Sequence, residues 1–359
     1  APRAAGGVRP PGGTRAPGPR PPYPRGGPGG VGAASFPSNS PAELFVEKCS
    51  AAIVTGNAAV AKAPEEDPLV VARIHDALLH AGAPADVLGL LHGGREVGAA
   101  LVADPRVDAV SLTGSTSAGV SVAEASAPLL RPLHLELGGN NACLVLDDAD
   151  LDLVAGELAF GRLMMNGQAC SASKRILVDP SLHEDLVERL VAIAGAQVVG
   201  AATDPHTTIG PLITAAAAQR VHSQISAAAA QGAFVAAGGS APKGPFIAPC
   251  VLADVPPEAA IATDDEVFGP VFTVVPMSGD AGMLALANLE RAMALAERLQ
   301  AGGVVINGTD NSRPPVIPFG GVKASGTGRE GVGYTQHDLT REKTIVLRRF
   351  RRGPGGVPS

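Results

Sequence analysis

The residue best suited to covalent chemistry lies in MMNGQACSASKR, residues 164–175. Cys170 follows Asn166, Gly167 and Gln168 and is trailed by Ser171, Ser173, Lys174 and Arg175. That setting is polar, glycine-broken and electropositive. A structural cysteine usually sits among aliphatic side chains, where its thiol stays protonated and inert. Three other stretches carry groups suited to a phosphorylated ligand. LTGSTSAG (112–119) passes from a strand-like run into a helical one through Gly114, Ser115 and Thr116. A helix starting there aims free N–H groups and a positive dipole end at a pyrophosphate, although Gly-Ser-Thr is also an ordinary helix cap. HGGREVGAAL (92–101) is a second glycine-rich turn, with Gly94 and Gly98 allowing close backbone approach. AKAPEED (61–67) puts Lys62 and Glu65 at a third strand end, where they can grip two ribose hydroxyls or form a solvated surface pair. None of these turns matches G-x-G-x-x-G. His134 and Glu136 can share one strand face, but two candidate ligands do not make a metal site.

A scaffold must bring these groups together, and 359 residues at 45% hydrophobic content suffice for two domains. A net charge of −6 does not point to nucleic acid or to an anionic membrane. No apolar stretch reaches membrane-spanning length, and no signal peptide is visible. The four cysteines, Cys49, Cys143, Cys170 and Cys250, are far apart and fit a reducing cytosol. A soluble, cytoplasmic protein is the expectation.

Residues 1–30 are mostly Pro, Gly, Ala and Arg, with no acid among them, and cannot bury enough apolar surface to offset ordering. They read as a disordered tail. A basic nucleic-acid arm is the sharper alternative, but Tyr23 is its lone aromatic. From Val31 onward, short apolar runs ending in glycine or turn residues alternate with helical stretches. That pattern predicts an α/β fold with a parallel sheet covered on both faces. A second α/β block runs toward GGVVIN and PFGGVKASGTGRE, and EKTIVLRRF adds a last strand-like run.

Taken in order, FPSNSP (36–41), AKAPEEDPL, LTGST, LELGGNN (135–141), NGQAC, DDEVFGPV (264–271) and PFGGVKASGTGRE (318–330) resemble the motif series of the aldehyde dehydrogenase superfamily. The resemblance implies a Rossmann-like parallel-sheet cofactor domain over 31–137, incomplete at its N-terminus, and an α/β catalytic domain over 138–337. It also implies an oligomerisation strand over 338–350 that adds to a neighbouring subunit in a homodimer or homotetramer, followed by a tail over 351–359. Cys170 is implied as nucleophile, with the Asn39 amide and the Cys170 N–H as oxyanion donors. Glu136 is implied as general base for hydrolysis, and its apolar flanks, Leu135 and Leu137, suit a group that must hold a proton in transit. The resemblance further gives Lys62, Glu65, Gly94, Gly98, Gly114, Ser115, Thr116, Leu137, Glu266 and Phe268 as cofactor contacts. The base favours release of a free acid over transfer to coenzyme A. The Glu65 carboxylate disfavours a 2′-phosphate, so NAD is expected ahead of NADP, with Lys62 as a possible offset.

On NGTDNSRPPVIPFGG (307–321), Arg313 lies where relatives line the substrate funnel. A guanidinium there suits a small anionic aldehyde such as a semialdehyde; equally, it can face solvent or pair with Asp310. Two departures from the family pattern stand out. The segment ahead of the Asn loop is short, and LALANLERAMALAERLQAGG (284–303) lacks a turn and a central strand of the catalytic domain. Two readings follow: a working NAD(P)-dependent enzyme, or an impaired truncated homologue that binds nucleotide or pairs with a full-length partner.

Overall fold

The computed structural model describes residues 23–277, 289–309, 314 and 316–345. Chain order gives β1 (Tyr23–Pro28), β2 (Val31–Ser35), α1 (Pro41–Val54), β3 (Ala58–Lys62), α2 (Pro68–His80) and β4 (Leu88–Leu91). Next come α3 (Arg95–Ala103), β5 (Ala109–Thr113), α4 (Thr116–Ser126) and β6 (Leu133–Glu136). The first sheet has the order β6-β5-β2-β3-β4, all parallel. The chain therefore starts in the middle of the sheet, winds outward one way through β3 and β4, then reverses through β5 and β6. Ligands of open α/β sheets bind beyond the carboxyl ends of the strands at such a reversal.

Local sequence accounts for these elements. Every residue of β5, AVSLT, is buried, as a parallel strand covered on both faces requires. Pro41 and Pro68 open α1 and α2 in the first turn, where a missing N–H costs nothing. On one face Phe36, Leu44, Phe45, Cys49 and Val71 form a core, with Phe36 and Phe45 edge to face at 5.8 Å. On the other, Ala33, Val102, Val107 and Val110 pack beneath α3 and α4.

The second sheet contains β7 (Ala142–Val145), β8 (Arg175–Val178), β9 (Phe234–Ala237), β10 (Cys250–Ala253) and β11 (Val271–Pro276). Its order is β7-β8-β11-β10-β9, with only β9 antiparallel. α5 (Leu151–Leu163) and α6 (His183–Gly195) cover one face, and α7 (Ala215–Ala230) the other. α8 (Leu289–Arg298) packs Ala292 and Leu295 on Leu144 and Leu146. After it come β12 (Gly326–Thr327), α9 (Tyr334–Asp338) and β13 (Thr340–Ile345). No helix among the described residues is long and apolar enough to cross a membrane.

Three features differ from the sequence reading. Residues 23–28 are not tail: β1 pairs antiparallel with β13, Tyr23 opposite Ile345. A two-stranded ribbon has only edge positions, where Pro24 and Pro28 are tolerated. Second, the final strand has a partner within its own chain, which the sequence reading did not include. Third, the stretch after residue 325 does not stay with the second sheet. β12 pairs with β6, Gly326 opposite Glu136, and Leu339 joins the core of the first. Glu47 on α1 fixes this return by accepting from Gly331 N at 2.6 Å. GGVVIN (302–307) lays Val304 and Ile306 against Leu144 and Leu146 on an irregular backbone. An apolar run becomes a strand only beside a hydrogen-bonding partner, and β7 is the edge of its sheet among the described residues.

Candidate active site

The cysteine loop is shaped by three successive left-handed residues, Met165 (φ 52°), Asn166 (φ 56°) and Gly167 (φ 75°). Asparagine tolerates this region and methionine does not, so the turn is held from outside. Asn166 Oδ1 accepts from Gly210 N at 2.9 Å and its Nδ2 donates to Pro211 O at 3.2 Å. Gln168 Oε1 accepts from Ile213 N at 3.0 Å. A Cβ on Gly167 would meet Gly269 O at 2.3 Å, so the N-G-Q turn packs directly on the loop that follows Glu266 and Phe268. Arg162, wholly buried, ties that loop down from α5 by donating to Val267 O and Val271 O at 2.7 and 2.6 Å.

Cys170 emerges from this clamped turn. Burial pushes its thiol up to about 11, Lys174 opposes that, and Glu330, Glu136 and Glu266 add to it. The electropositive neighbourhood read from the sequence is therefore real at Lys174 but is outweighed by burial and three carboxylates. Glu136 and Glu266, distant in sequence, are thus near enough for their charges to be felt at the sulfur. Glu136 ends β6 and is buried, between Thr113 and Gly326 in the sheet. A Cβ on Gly320 would lie 2.8 Å from Glu136 Oε1, so the P-F-G-G segment forms the other wall of its niche. Asn39 sits on the turn after β2, at the same end of the sheet, and its Oδ1 is buried with no hydrogen-bond partner.

The cofactor candidates line the strand ends in two groups. Lys62 ends β3; a Cβ on Gly98 would lie 3.5 Å from its Cδ, and one on Gly94 would lie 2.6 Å from Glu65 Oε2. These four residues form one cradle, with the Glu65 carboxylate exposed. At the reversal Ser115 caps α4 by accepting from Ala118 N at 3.2 Å, and Gly114 N donates to Glu136 O at 2.9 Å. A Cβ on Gly138 would meet Glu266 Oε2 at 2.2 Å and Thr116 Oγ1 at 3.6 Å, which brings Glu266 to the start of α4. Leu137 packs over Gly119. Glu266 and Phe268 then line a cavity of about 610 Å³ with Gln168, Ile213, Arg220 and Gln224. Arg313 lies outside the described residues.

A model of the aldehyde dehydrogenase family matches residues 22–345. The chain belongs to the aldehyde dehydrogenase family. Its relatives include a geranial dehydrogenase from Castellaniella defragrans, 38% identical over 89% of this chain and 70% of that protein. A betaine aldehyde dehydrogenase from Rhizobium meliloti is 37% identical over 89% and 68%. Among solved structures, an aldehyde dehydrogenase of Mycobacterium tuberculosis complexed with NAD+ superimposes with a TM-score of 0.86 at 32% identity, over 90% of this chain and 70% of that one. A glyceraldehyde-3-phosphate dehydrogenase of Methanocaldococcus jannaschii complexed with NADP also gives 0.86 at 32% identity, over 93% and 76%.

In this member of the family the motif residues are joined by polar groups that the motifs did not reveal. Lys48 Nζ lies 2.7 Å from Glu330 Oε1 and donates to Ser111 Oγ at 2.9 Å; Thr113 Oγ1 donates to the same carboxylate oxygen at 3.0 Å. Lys48 falls on the inward stripe of α1 with Leu44, Phe45 and Cys49, and a cation on an apolar stripe was the available signal. Ser111 Oγ is 3.0 Å from Nδ1 of His134, a buried imidazole. Burial and then Lys48 push the His134 pKa down from 6.5 to about 4, with Glu330 and Asp338 partly opposing. The folded chain thus resists a proton that the unfolded chain accepts. His134 is expected to contribute about 3 kcal/mol that is complete above pH 6.5 and lost as pH falls toward 4. Urea midpoints at pH 7 and 4.5 should separate more for the wild-type chain than for His134→Asn; equal separations would refute the assignment.

Proposed function

We propose that this chain oxidises an aldehyde to a carboxylic acid, using NAD or NADP. The observation that supports the reading is the packing of the Cys170 loop on the 266–269 segment of the cavity wall, where a Cβ on Gly138, two residues after Glu136, would meet Glu266 Oε2. With its thiol held near 11, Cys170 attacks only as its proton leaves, and Glu136 is the carboxylate suited to take it. The Sγ–C bond forms at the aldehyde carbon, and the carbonyl oxygen becomes an oxyanion. Half a turn of the Asn39 amide aims its NH₂ into the buried spot its oxygen occupies, and the Cys170 N–H is the second donor. A bound nicotinamide supplies the acceptor for the hydride that leaves the tetrahedral carbon. Glu136 first releases the thiol proton to solvent; water then attacks the thioester left on Cys170 and gives its proton to Glu136, which returns it to the sulfur as the C–S bond breaks and the acid departs.

The residues present suit such a cofactor. Lys62, Glu65, Gly94 and Gly98 would hold the adenosine ribose; Gly114, Ser115, Thr116 and Leu137 would flank the diphosphate at the start of α4. Glu266 and Phe268 would hold the nicotinamide half, and Arg220, on the wall of the same cavity, adds a cation that motif reading passed over. The exposed Glu65 carboxylate repels a 2′-phosphate, so NAD is expected to show a KM at least about tenfold below that of NADP.

The test is NADH formation at 340 nm with neutral, anionic and quaternary-ammonium aldehydes of similar length, with each cofactor in turn. The quaternary arm is included because relatives are named for betaine aldehyde. A preference for the anionic aldehyde would support Arg313 as the substrate residue, and indifference to charge would remove it. A second reading has its own observation, the irregular 303–309 segment beside β7, the edge strand of its sheet among the described residues. It describes an impaired homologue, and binding of NAD without turnover on any aldehyde would favour it.

A further inference from the structure

Lys174 lies four residues after the nucleophile candidate and points back under it. Its side chain is 1% exposed. Its Nζ donates to the Cys170 carbonyl at 2.6 Å and lies 3.0 Å from Glu266 Oε1. Arg162, the other buried cation nearby, is spent on the backbone of the 267–271 loop. One ammonium thus joins the loop that carries the thiol to the carboxylate on the cavity wall. We propose that Lys174 is a positioning residue that anchors the Cys170 loop to Glu266 and sets how readily the thiol ionises. The inference rests on the reading of Cys170 as nucleophile and extends it to a residue with no assigned part in the cycle.

The argument is electrostatic and geometric. Among the charges that act most strongly on Cys170, Lys174 is the cation, and Glu330, Glu136 and Glu266 are the carboxylates. Lys174 is in turn faced by Glu266, Arg162 and Cys170. Removing the ammonium leaves a thiolate opposed by three like charges in a poorly solvated place, so ionisation must become harder. Removing the Glu266 charge must make it easier, because a repelling carboxylate is gone and Lys174 has one anion fewer to answer. The two substitutions should move the thiol in opposite directions.

The experiment is iodoacetamide alkylation of the full chain across pH 6.5–10, with the modified cysteine identified by mass spectrometry of its peptide. Lys174→Met is expected to slow alkylation of Cys170 at pH 8 by about tenfold, about one unit in the apparent thiol pKa. Glu266→Gln is expected to speed it, and Lys174→Arg to restore most of the wild-type profile. A loosened or misfolded loop would expose the thiol and accelerate alkylation, so Lys174→Met reacting as fast as wild type, or faster, overturns the proposal. If wild-type Cys170 fails to react anywhere in that range while Cys143 does, the nucleophile reading itself falls, which is a separate result.

Discussion

Replacing Cys170 with alanine is expected to abolish aldehyde-dependent NADH formation, by at least ~10⁴-fold, while Glu136→Gln should stop the same cycle one step later. Without the sulfur no bond to the aldehyde carbon forms, and no tetrahedral carbon exists from which hydride can leave. The alanine variant should still bind NAD, because the Lys62–Glu65–Gly94–Gly98 cradle and the start of α4 are untouched. In Glu136→Gln the packing against Gly320 and the pairing with Thr113 and Gly326 are kept, since glutamine is isosteric. What is lost is the proton acceptor. Steady-state turnover should fall by roughly 10²–10⁴-fold, the usual size of a general-base contribution. The thioester should then accumulate, giving a burst of one NADH per active chain and an acyl adduct on the Cys170 peptide. Because the apo thiol is held near 11, the burst itself reports a second role. A slowed burst means that Glu136 also takes the thiol proton; an unchanged one assigns that step elsewhere. Full steady-state activity in Glu136→Gln, or a burst from Cys170→Ala, would break the scheme.

The same residues show what a sequence can and cannot disclose. Strand-to-helix turns carry their meaning locally, so Lys62, Gly94, Ser115 and Glu136 could be placed at strand ends from alternation and turn chemistry alone, and the first sheet puts them there. The Lys48–Glu330 contact spans 282 positions, and nothing near either residue names the other. The balance at Cys170 was hidden for a related reason. Lys174 is adjacent in sequence, whereas burial and three opposing carboxylates arrive from remote segments. GGVVIN shows a third kind of opacity. Its composition favours a strand, but strand formation is a property of a pair, and the segment has no ladder partner among the described residues. YPRGGP is the converse, a stretch with poor strand propensity made into one by β13.

Lys48→Met is expected to cost about 3–5 kcal/mol of folding stability, much of what a domain of ordinary stability possesses. The pair is deeply buried, with side-chain exposures of 1% and 3%, so deleting the ammonium leaves Glu330 with Thr113 as its remaining donor. Burial alone would raise the Glu330 carboxyl; Lys48, followed by His134 and Thr113, reverses that and holds it below the usual carboxylate range. A depressed folded-state value means a contribution that is present above the unfolded carboxylate value and lost as pH falls through the folded one. In Lys48→Met the sign should invert: with no cation beside it, Glu330 ionises only with difficulty, and the variant should lose stability as pH rises from 5 to 8. Urea unfolding at both pH values tests this directly. The double variant Lys48→Met/Glu330→Leu supplies the control, because replacing a buried ion pair by apolar side chains is far less costly than orphaning one member. It should recover most of the stability at pH 8 and lose the decline with rising pH that Glu330 imposes, leaving the His134 dependence below pH 6.5. Such recovery would show that α1 and the returning 326–339 segment are held by packing as well as by charge. A double variant no more stable than Lys48→Met would instead mean that the ion pair itself is what keeps that segment on the first sheet.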